Sequence, residues 1–275
     1  AGFLSGSDAQ RALEIDRAFS APDVKMVLCI RGGYGSPRIL NLLNYENIRR
    51  NPKILVGYSD VSALLNAIHQ RTGLVTFHGP MAQTDFSGKH GLAPFASKYL
   101  WSLLNASTDT KRESSQKAKF ENWGAGAPAK LGKRRTIVPG LAEGRLVGGN
   151  LSTIVALLGT PFEIETDGAI LFLEDVNEEP FRIDRMLCQL RLAGKFQEVD
   201  GVLLGGFTAC VPKTKGDTTT AAQVLEHYLG ELGVPVLAGF PAGHLVEQVT
   251  PPIGCRVRLD ATKKVLSIIE SAVSR

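Results

Sequence analysis

The stretch Lys53–Asp60, KILVGYSD, decides how the first half of the chain is organised. Its apolar residues predict a short buried strand that stops at Ser59, and apolar residues at helical spacing follow. Gly73 then stands where the C-terminal cap of that helix is expected. Ser59 is therefore predicted to lie at a sharp strand-to-helix turn, beside the backbone N–H groups that the first turn of a helix leaves free.

Such a turn has two interpretations. Ser and Asp are the commonest N-terminal caps, so on these residues alone capping by Ser59 or Asp60 is the favoured one. In the other interpretation Ser59 is a nucleophile and the free N–H groups stabilise an oxyanion. The stretch is not the Gly-x-Ser-x-Gly elbow of the α/β-hydrolases, because Val61 stands where that motif has its second glycine.

A glycine-rich loop, RGGYG, follows the preceding predicted strand, Val24–Ile30. Ligands collect at the carboxyl ends of the strands in an open parallel sheet, so this loop and the serine turn are expected to lie side by side. The N–H groups of Asp60 and of Gly32 or Gly33 would then form an oxyanion hole around Ser59. Taken alone, the loop would equally suit a phosphate cradle or a simple tight turn.

Helix-like and strand-like segments alternate through the first part of the chain. This alternation predicts βαβ units in an α/β domain with a parallel sheet, of flavodoxin-like form. The predicted helices are Asp8–Phe19, Pro37–Leu43, Val61–Arg71 and Ala93–Leu104, and the predicted strands are Val24–Ile30, Lys53–Gly57 and the segment LVTFHGP.

The pattern changes after a basic stretch. Residues 106–135 hold eight basic and three acidic residues among small polar ones, which predicts an exposed linker. Beyond it the chain predicts a β-rich α+β domain, with helices at Leu151–Leu158, Pro180–Ala193 and Thr220–Gly230 and a hairpin around Ala261–Lys263. The expected organisation is an N-terminal domain over 1–105, a linker over 106–140 and a C-terminal domain over 141–275.

Composition argues against several classes of protein. No apolar run approaches the roughly 20 residues of a membrane span, and the basic stretch lacks a helical register and aromatic interleaving, so neither membrane nor nucleic acid is an expected partner. No His-Glu-x-x-His motif occurs, and GAPAKLGKR has Arg134 where a phosphate-binding loop needs Ser or Thr, so no metal or other cofactor is predicted. Four scattered cysteines favour a reducing compartment.

Several strings match one known family in order. IRGGYGSPRIL, ILVGYSDVSALL, TFHGPM, GRLVGGNLSTIVALLGTPF, ILFLEDVNEEPFRIDRML and GGF resemble the serine peptidases that include the bacterial LD-carboxypeptidases of peptidoglycan recycling and the microcin C immunity peptidases. The resemblance covers nearly the whole chain. It implies that Ser59 is the nucleophile, His244 the base and Glu174 the residue that orients the base. The family's opening strand and helix, a few tens of residues, are expected to be missing.

The residues themselves leave the base and its partner open. Of the five histidines, three lie on predicted helices or in a polar loop: His69, His90 and His227. His78, directly after a predicted strand, competes with His244. Glu174 and Asp175 end a strand, and only one can reach a cleft because neighbours on a strand face opposite ways. A salt bridge of Glu174 with Arg182 or Arg185 ranks equally on the residues alone.

The resemblance implies a cytoplasmic, homodimeric serine carboxypeptidase that releases the terminal D-Ala from muropeptide tetrapeptides at an L,D bond. The triad would come from both domains, and Arg31 or the basic linker would meet the substrate carboxylate. Trp123 is either a stacking surface for a nucleobase, which favours an immunity peptidase that cleaves aminoacyl-nucleotide amides, or a hydrophobic anchor. A non-catalytic muropeptide- or nucleotide-binding protein is the alternative from another class.

Overall fold

The structure, a computed structural model, describes residues 2–89, 91–105, 122–124, 126–127 and 133–273. Most of the predicted linker and His90 lie outside these residues. The helices within them are all too short or too polar to cross a membrane.

The first sheet has three parallel strands at its centre, as the alternating pattern predicts. The strands are β1 (Met26–Leu28), β2 (Ile54–Gly57), β3 (Thr76–His78) and β9 (Pro252–Ile253), and the helices of this part are α1 (Asp8–Ser20), α2 (Tyr45–Arg50), α3 (Ser62–Thr72) and α4 (Pro94–Leu104). The order of the strands in the sheet is β1-β2-β3-β9, and β9 pairs antiparallel with β3. A single turn of 3₁₀ helix spans Ser59–Val61, a longer 3₁₀ helix spans Pro37–Leu42 where the sequence predicts a helix, and a π-helical turn spans Ala82–Phe86.

The second sheet has seven strands in the order β11-β10-β5-β6-β7-β8-β4. Its four central strands run parallel, and a helix lies in each of the three connections between them. The strands are β4 (Arg135–Val138), β5 (Leu141–Asn150), β6 (Ala169–Val176), β7 (Gly201–Thr208), β8 (Val236–Ala238), β10 (Arg256–Asp260) and β11 (Val265–Ile268), and the helices are α5 (Leu151–Val155), α6 (Pro180–Leu192) and α7 (Ala221–Leu229).

The mixed α/β fold is confirmed, and so is the hairpin, formed by β10 and β11. Three features differ from the predicted elements. Helix α2 was not predicted, β4 lies inside the segment assigned to the linker, and β9 from the second part of the chain completes the first sheet. The second sheet also has a parallel centre, whereas the sequence predicts only a β-rich domain with fewer helices.

Apolar residues cover both faces of the second sheet. One face, with Ile170 and Phe172, shares a continuous core with helix α3 of the first part, including Leu65 and Ile68. The opposite face, with residues such as Leu171, packs against α6 and α7. Because strand neighbours alternate between the faces, a single sheet joins two cores.

Hydrogen bonds fix α3 against the end of β5. The Asn66 side chain donates to the carbonyl of Gly148 at 2.8 Å and accepts from its N–H at 3.0 Å, and all these atoms are buried. The N–H of Asn150 donates to the Ser62 hydroxyl at 3.0 Å. The helix that begins just after Ser59 is therefore held in register with the strand that lies beside β6.

Candidate active site

Ser59 lies at a strained turn between β2 and α3. Its φ of 64° is in the left-handed region, which residues other than glycine seldom adopt and which clusters at functional sites. Gly57 permits the turn, because a Cβ there would lie 2.7 Å from Cγ1 of Val61. Val61 itself has ordinary helical dihedral angles, so the turn needs no glycine at that position.

The capping interpretation of this turn is wrong. The residues at the caps of the 3₁₀ turn and of α3 are Tyr58 and Val61, and neither cap has a side-chain hydrogen bond. The Asp60 carboxylate instead accepts from the N–H of Gly35 at 3.3 Å and of Ser36 at 2.8 Å. Asp60 therefore ties the glycine-rich loop to the turn, and the Ser59 hydroxyl is left available for other work.

The glycine-rich loop lies directly against Ser59, as predicted from the parallel sheet. A Cβ on Gly32 would be 2.8 Å from Cβ and 3.0 Å from Oγ of Ser59, so only glycine permits this approach. Within the described ranges, the N–H groups of Gly32 and Gly33 donate no hydrogen bond. They are thus free to bind an anionic oxygen beside the serine.

Glu174 and His244 form a buried pair at the end of the second sheet. Nδ1 of His244 lies 2.7 Å from Oε2 of Glu174, and the His244 N–H donates to the same oxygen at 3.3 Å. Glu174 is fully buried, whereas the His244 side chain is 18 % exposed. Gly243 has φ 107°, and a Cβ there would lie 2.5 Å from Oε2 of Glu174, so a glycine is required next to the histidine.

The loop that carries His244 is fastened to the end of β7. The N–H of Gly206 donates to the carbonyl of Ala242 at 2.9 Å, and the hydroxyl of Thr208 donates to the carbonyl of His244 at 3.1 Å. Opposite Glu174 the pairing of β6 with β7 is irregular, which is typical of a β-bulge. A Cβ on Gly205 in this bulge would lie 3.0 Å from Cβ of Glu174, so the glycine makes room for the acid.

The charge of Glu174 is set by two opposing effects. Burial disfavours the ionised carboxylate, but hydrogen bonding and electrostatic attraction to the His244 and His78 rings outweigh it and lower the pKa of Glu174 to about 2. An ionised partner at Nδ1 makes that nitrogen the donor, so Nε2 of His244 is the acceptor. This is the tautomer that can take a proton from a serine hydroxyl.

Asp175 faces the other way, as the alternation of strand residues predicts. Its carboxylate accepts from the Asn150 side chain at 3.0 Å and from the Ser152 N–H at 2.9 Å, at the start of α5. Burial raises its pKa. The salt-bridge interpretation of Glu174 is wrong for Arg182, which lies 3.9 Å from Glu178 instead.

A cavity of about 330 Å³ brings these elements together. Ser59 and His244 both line it, and no hydrogen bond joins their side chains among the described residues. Catalytic hydrogen bonds often tighten only when substrate binds. The lining residues are Arg31, Gly32, Gly33, Tyr58, Ser59, Met81, Gln83, Thr84 and His244.

The other histidines that the structure describes do not line this cavity. Nδ1 of His69 lies 3.1 Å from the carbonyl of Leu74, and His227 on α7 packs edge-on against Tyr228. His78 is fully buried behind Glu174, with Nε2 3.6 Å from Oε1. The structure therefore distinguishes His78 from His244 as the candidate base, a choice that the residues alone left open.

Two residues near the cavity were missed from the sequence. The Tyr58 ring packs edge-on against His244 with 4.9 Å between ring centroids. Asp85 accepts from the N–H of Met81 at 2.7 Å and from Gln248 at 3.3 Å, and burial raises the pKa of its carboxyl. Tyr58 adjoins the nucleophile in sequence, which is the one signal that could have identified it.

Trp123 is an anchor rather than a stacking surface. It is only 2 % exposed and packs edge-on against Tyr99 with 4.7 Å between ring centroids. Arg134 donates to its carbonyl at 2.8 Å. The hydrophobic-anchor interpretation of Trp123 is therefore confirmed, and no stacking face remains for a nucleobase.

Comparison with known proteins matches both parts of the chain. Models of the LD-carboxypeptidase N-terminal and C-terminal domains match residues 1–79 and 143–259. A probable murein peptide carboxypeptidase of Bacillus subtilis is 41% identical over 273 residues, which are 99% of this chain and 80% of the relative. The muramoyltetrapeptide carboxypeptidase from Oxalobacter formigenes superposes with a TM-score of 0.78 and 30% identity, covering 96% of this chain and 84% of the other.

A second kind of protein is equally similar in structure. The microcin C7 self-immunity protein MccF, in complex with aspartyl sulfamoyl adenosine, superposes with a TM-score of 0.81 and 28% identity. The match covers 99% of this chain and 85% of that one.

Proposed function

This chain belongs to the LD-carboxypeptidase family of serine peptidases, and we propose that it releases the terminal D-alanine from muropeptide tetrapeptides by hydrolysing an L,D peptide bond. One observation carries the proposal. Ser59 and His244 line a single cavity, and Nδ1 of His244 lies 2.7 Å from a buried, ionised Glu174. This supports roles for Ser59 as nucleophile, His244 as base and Glu174 as orienting acid in an acyl transfer.

The reaction follows from these positions. Oγ of Ser59 attacks the carbonyl carbon of the L,D bond while Nε2 of His244 takes the hydroxyl proton. The same proton passes to the amine of D-alanine, which leaves as the peptide bond breaks and an ester to Ser59 remains. Water then attacks the ester while Nε2 of His244 takes one of its protons. The bond to Oγ of Ser59 breaks, Oγ takes that proton back from His244, and the shortened peptide leaves with a new terminal carboxyl group, while Glu174 stays ionised throughout.

Backbone N–H groups would stabilise the tetrahedral oxyanion. Asp60 supplies one at the start of the helical turn, and Gly32 or Gly33 supplies the other from the loop that packs against Ser59. Each such donor commonly contributes about 3 kcal/mol to transition-state stabilisation.

Arg31 is the group that we assign to the terminal carboxylate of D-alanine. It is exposed, lines the cavity and follows the strand beside the nucleophile. A guanidinium can hold a carboxylate through two parallel hydrogen bonds, which also fixes the stereochemistry of the residue that carries it. The basic residues of the predicted linker, the other candidates, lie mostly outside the described residues.

The test measures the release of D-alanine from two peptides by mass spectrometry. A tetrapeptide should lose one D-alanine, and a pentapeptide that ends in D-Ala-D-Ala should remain nearly intact, because a site built around one carboxylate rejects a misplaced one. Equal cleavage of both would indicate a D,D-peptidase. Ser59→Ala is the control for contaminating activity.

The second candidate is hydrolysis of an aminoacyl-nucleotide amide, which the likeness to MccF favours. Burial of Trp123 removes the stacking surface that the sequence suggested for a nucleobase. Turnover of an aminoacyl sulfamoyl-adenosine without turnover of the tetrapeptide would move the assignment to this activity. A serine-reactive phosphonate that labels nothing would indicate the non-catalytic binding protein.

We also propose that the protein acts in the cytoplasm as a homodimer. The four cysteines are unpaired, and burial raises the pKa of Cys29 and of Cys255 to about 12, which suits buried thiols in a reducing compartment. Phe181 and Leu192 are 49% and 81% exposed on α6 and offer an apolar surface to a second copy. Light scattering of wild type and Leu192→Glu tests the dimer.

A further inference from the structure

The ring of His78 is buried and makes no hydrogen bond with the part of the chain that the structure describes. It lies at the carboxyl end of β3 with no exposed surface, and neither ring nitrogen has a partner among the described residues. Oε1 of Glu174 is also buried and without a partner in this part of the chain. The two groups face each other, with Nε2 of His78 3.6 Å from that oxygen, slightly beyond hydrogen-bond distance.

The orientation of the His78 ring is fixed from several sides. Phe172 packs edge-on with 5.1 Å between centroids, and Tyr58 lies 5.9 Å away. A Cβ on Gly149 would lie 3.2 Å from Cδ2 of His78, so the backbone of β5 closes another side. The backbone N–H of His78 donates to the carbonyl of Pro251 at 2.9 Å. The ring is therefore held with Nε2 towards Glu174.

A purely structural role does not explain a histidine at this position. Burying polar atoms without partners costs free energy, and a leucine of similar size would fill the space without that cost. The structure places a polar group opposite Nε2, since Oε1 of Glu174 lies 3.6 Å from it. The polarity of the ring must therefore be accounted for by its effect on that carboxylate.

We propose that His78 is a positioning residue for the reaction, which donates its Nε2–H to Oε1 of Glu174 and so keeps Oε2 directed at Nδ1 of His244. The inference rests on the proposed function. Both carboxylate oxygens of Glu174 are then held. Oε2 is held by His244, which takes part in the reaction, and Oε1 by His78, which does not. The 3.6 Å gap closes by a few tenths of an ångström when substrate fills the cavity.

Two further observations support this role. After burial and the hydrogen bond of His244, His78 is the next contributor to the pKa of Glu174, and it favours the ionised form. The Tyr58 ring packs against both histidines, with its centroid 5.9 Å from that of His78 and 4.9 Å from that of His244, and Tyr58 precedes Ser59 in the chain. One packed unit thus links the orienting acid to the nucleophile.

The test compares two substitutions at His78 with one at His69. His78→Leu keeps the bulk and removes the donor, whereas His78→Gln keeps an N–H near the position of Nε2. His69→Leu is the matched control, because His69 is a partly buried histidine whose hydrogen bond to Leu74 lies outside the cavity. Each variant is measured for kcat and KM on the tetrapeptide, for the rate at which a phosphonate labels Ser59, and for Tm.

We expect His78→Leu to lower both kcat and the labelling rate about 10- to 100-fold, as loss of an outer orienting partner does, with KM changed less than about twofold. His78→Gln should recover most of both rates. His69→Leu should lower Tm and leave kcat unchanged. If His78→Leu does not fold, His78→Asn replaces it, since its shorter amide does not reach Oε1 and must show the loss that His78→Gln does not.

Wild-type kcat and labelling in the leucine or asparagine variant would overturn the role of His78. Equal losses in those variants and in His78→Gln would overturn it as well, because they would indicate packing rather than donation. A wild-type protein that the phosphonate does not label would instead refute the proposed function itself, and the inference with it.

Discussion

The two regions that meet in the cavity are built on different principles. The nucleophile region is local: β2, the turn at Ser59 and helix α3 follow one another directly, and steric contacts with Gly57 and Gly32 set its shape. The base region is not local, because Glu174 and His244 are 70 residues apart in sequence and meet only through the second sheet. Backbone geometry positions the first region, and a buried charge positions the second.

The two regions should therefore be sensitive to different kinds of substitution. The turn at Ser59 depends on close backbone approach, so adding a single methyl group there should lower catalytic activity. The size of that loss should depend little on pH. The buried carboxylate of Glu174 is held by two histidines, so removing its charge or either histidine should lower catalytic activity. The hydrogen bonds between β5 and the side chains of Asn66 and Ser62 link the two regions and keep them in register.

The largest effect is expected at the nucleophile. Ser59→Ala should lower kcat on the tetrapeptide by about 10⁴-fold or more, because loss of a triad nucleophile leaves only binding and the oxyanion hole. The thermal unfolding midpoint should change little, since Ser59 lines the cavity and its hydroxyl has no hydrogen bond among the described residues. Substantial activity in a folded Ser59→Ala protein would remove this residue from the mechanism.

The base region should behave as one unit. Glu174→Gln and His244→Ala should each lower kcat about 10³- to 10⁴-fold, and the double variant should be scarcely worse than the more damaging single one, because members of a triad are strongly non-additive. Steady-state kinetics of the three variants decide this. Multiplicative losses would show that the two residues act separately, whatever their 2.7 Å separation.

The geometry of the turn should be sensitive to one methyl group. Gly57→Ala places a Cβ 2.7 Å from Val61 and should lower kcat about 100-fold, since a displacement near 1 Å at a nucleophile costs that much. The matched control is Gly73→Ala at the other end of α3, where φ is 77° and nothing lies within 4 Å. That variant should lose stability and keep its kcat; equal kcat losses in both would show that the helix, not the turn, is at fault.

The smallest expected effect is a difference between Glu174 and Asp175 in how their contributions to stability depend on pH. The folded-state pKa of Glu174, about 2, is below its ordinary 4.5, so its contribution to stability is present above pH 4.5 and is lost as the pH falls towards 2. The pKa of Asp175 is raised above its ordinary 3.8, so its contribution is present at lower pH and is lost as the pH rises through the folded pKa.

Acidification should therefore lower the unfolding free energy less in Glu174→Gln than in wild type, and more in Asp175→Asn. Denaturant titrations at pH 5 and at pH 3 measure the difference. An equal change in unfolding free energy between pH 5 and pH 3 in the two variants would mean that Glu174 and Asp175 share one environment. That would contradict their hydrogen bonds with His244 and with Asn150.

The sequence predicts the nucleophile region well because its information is local. The strand, the turn and Gly73 as the C-terminal cap all come from contiguous residues, and Gly73 indeed has φ 77° and donates its N–H to His69. What the sequence misjudged there was the role of Asp60, since its partners Gly35 and Ser36 lie in a different loop.

The base region is beyond the reach of such local patterns. Alternation along β6 shows only that Glu174 and Asp175 face opposite ways. His78 ends β3 and His244 follows β8, so their distances from Glu174 depend on how the two sheets meet. The resemblance to a family, rather than any pattern in the residues, separated them. Strand β9 was missed for a similar reason, because its partner β3 lies far away in the chain.

The rate at which a fluorophosphonate labels Ser59, measured by peptide mapping in wild type and in His244→Ala, tests most directly whether the two regions form one active site. We expect a single adduct on Ser59 in wild type and a rate at least about 10³-fold lower in His244→Ala, because the turn alone does not activate the hydroxyl. An adduct on another residue, or equal labelling of the two proteins, would contradict the account.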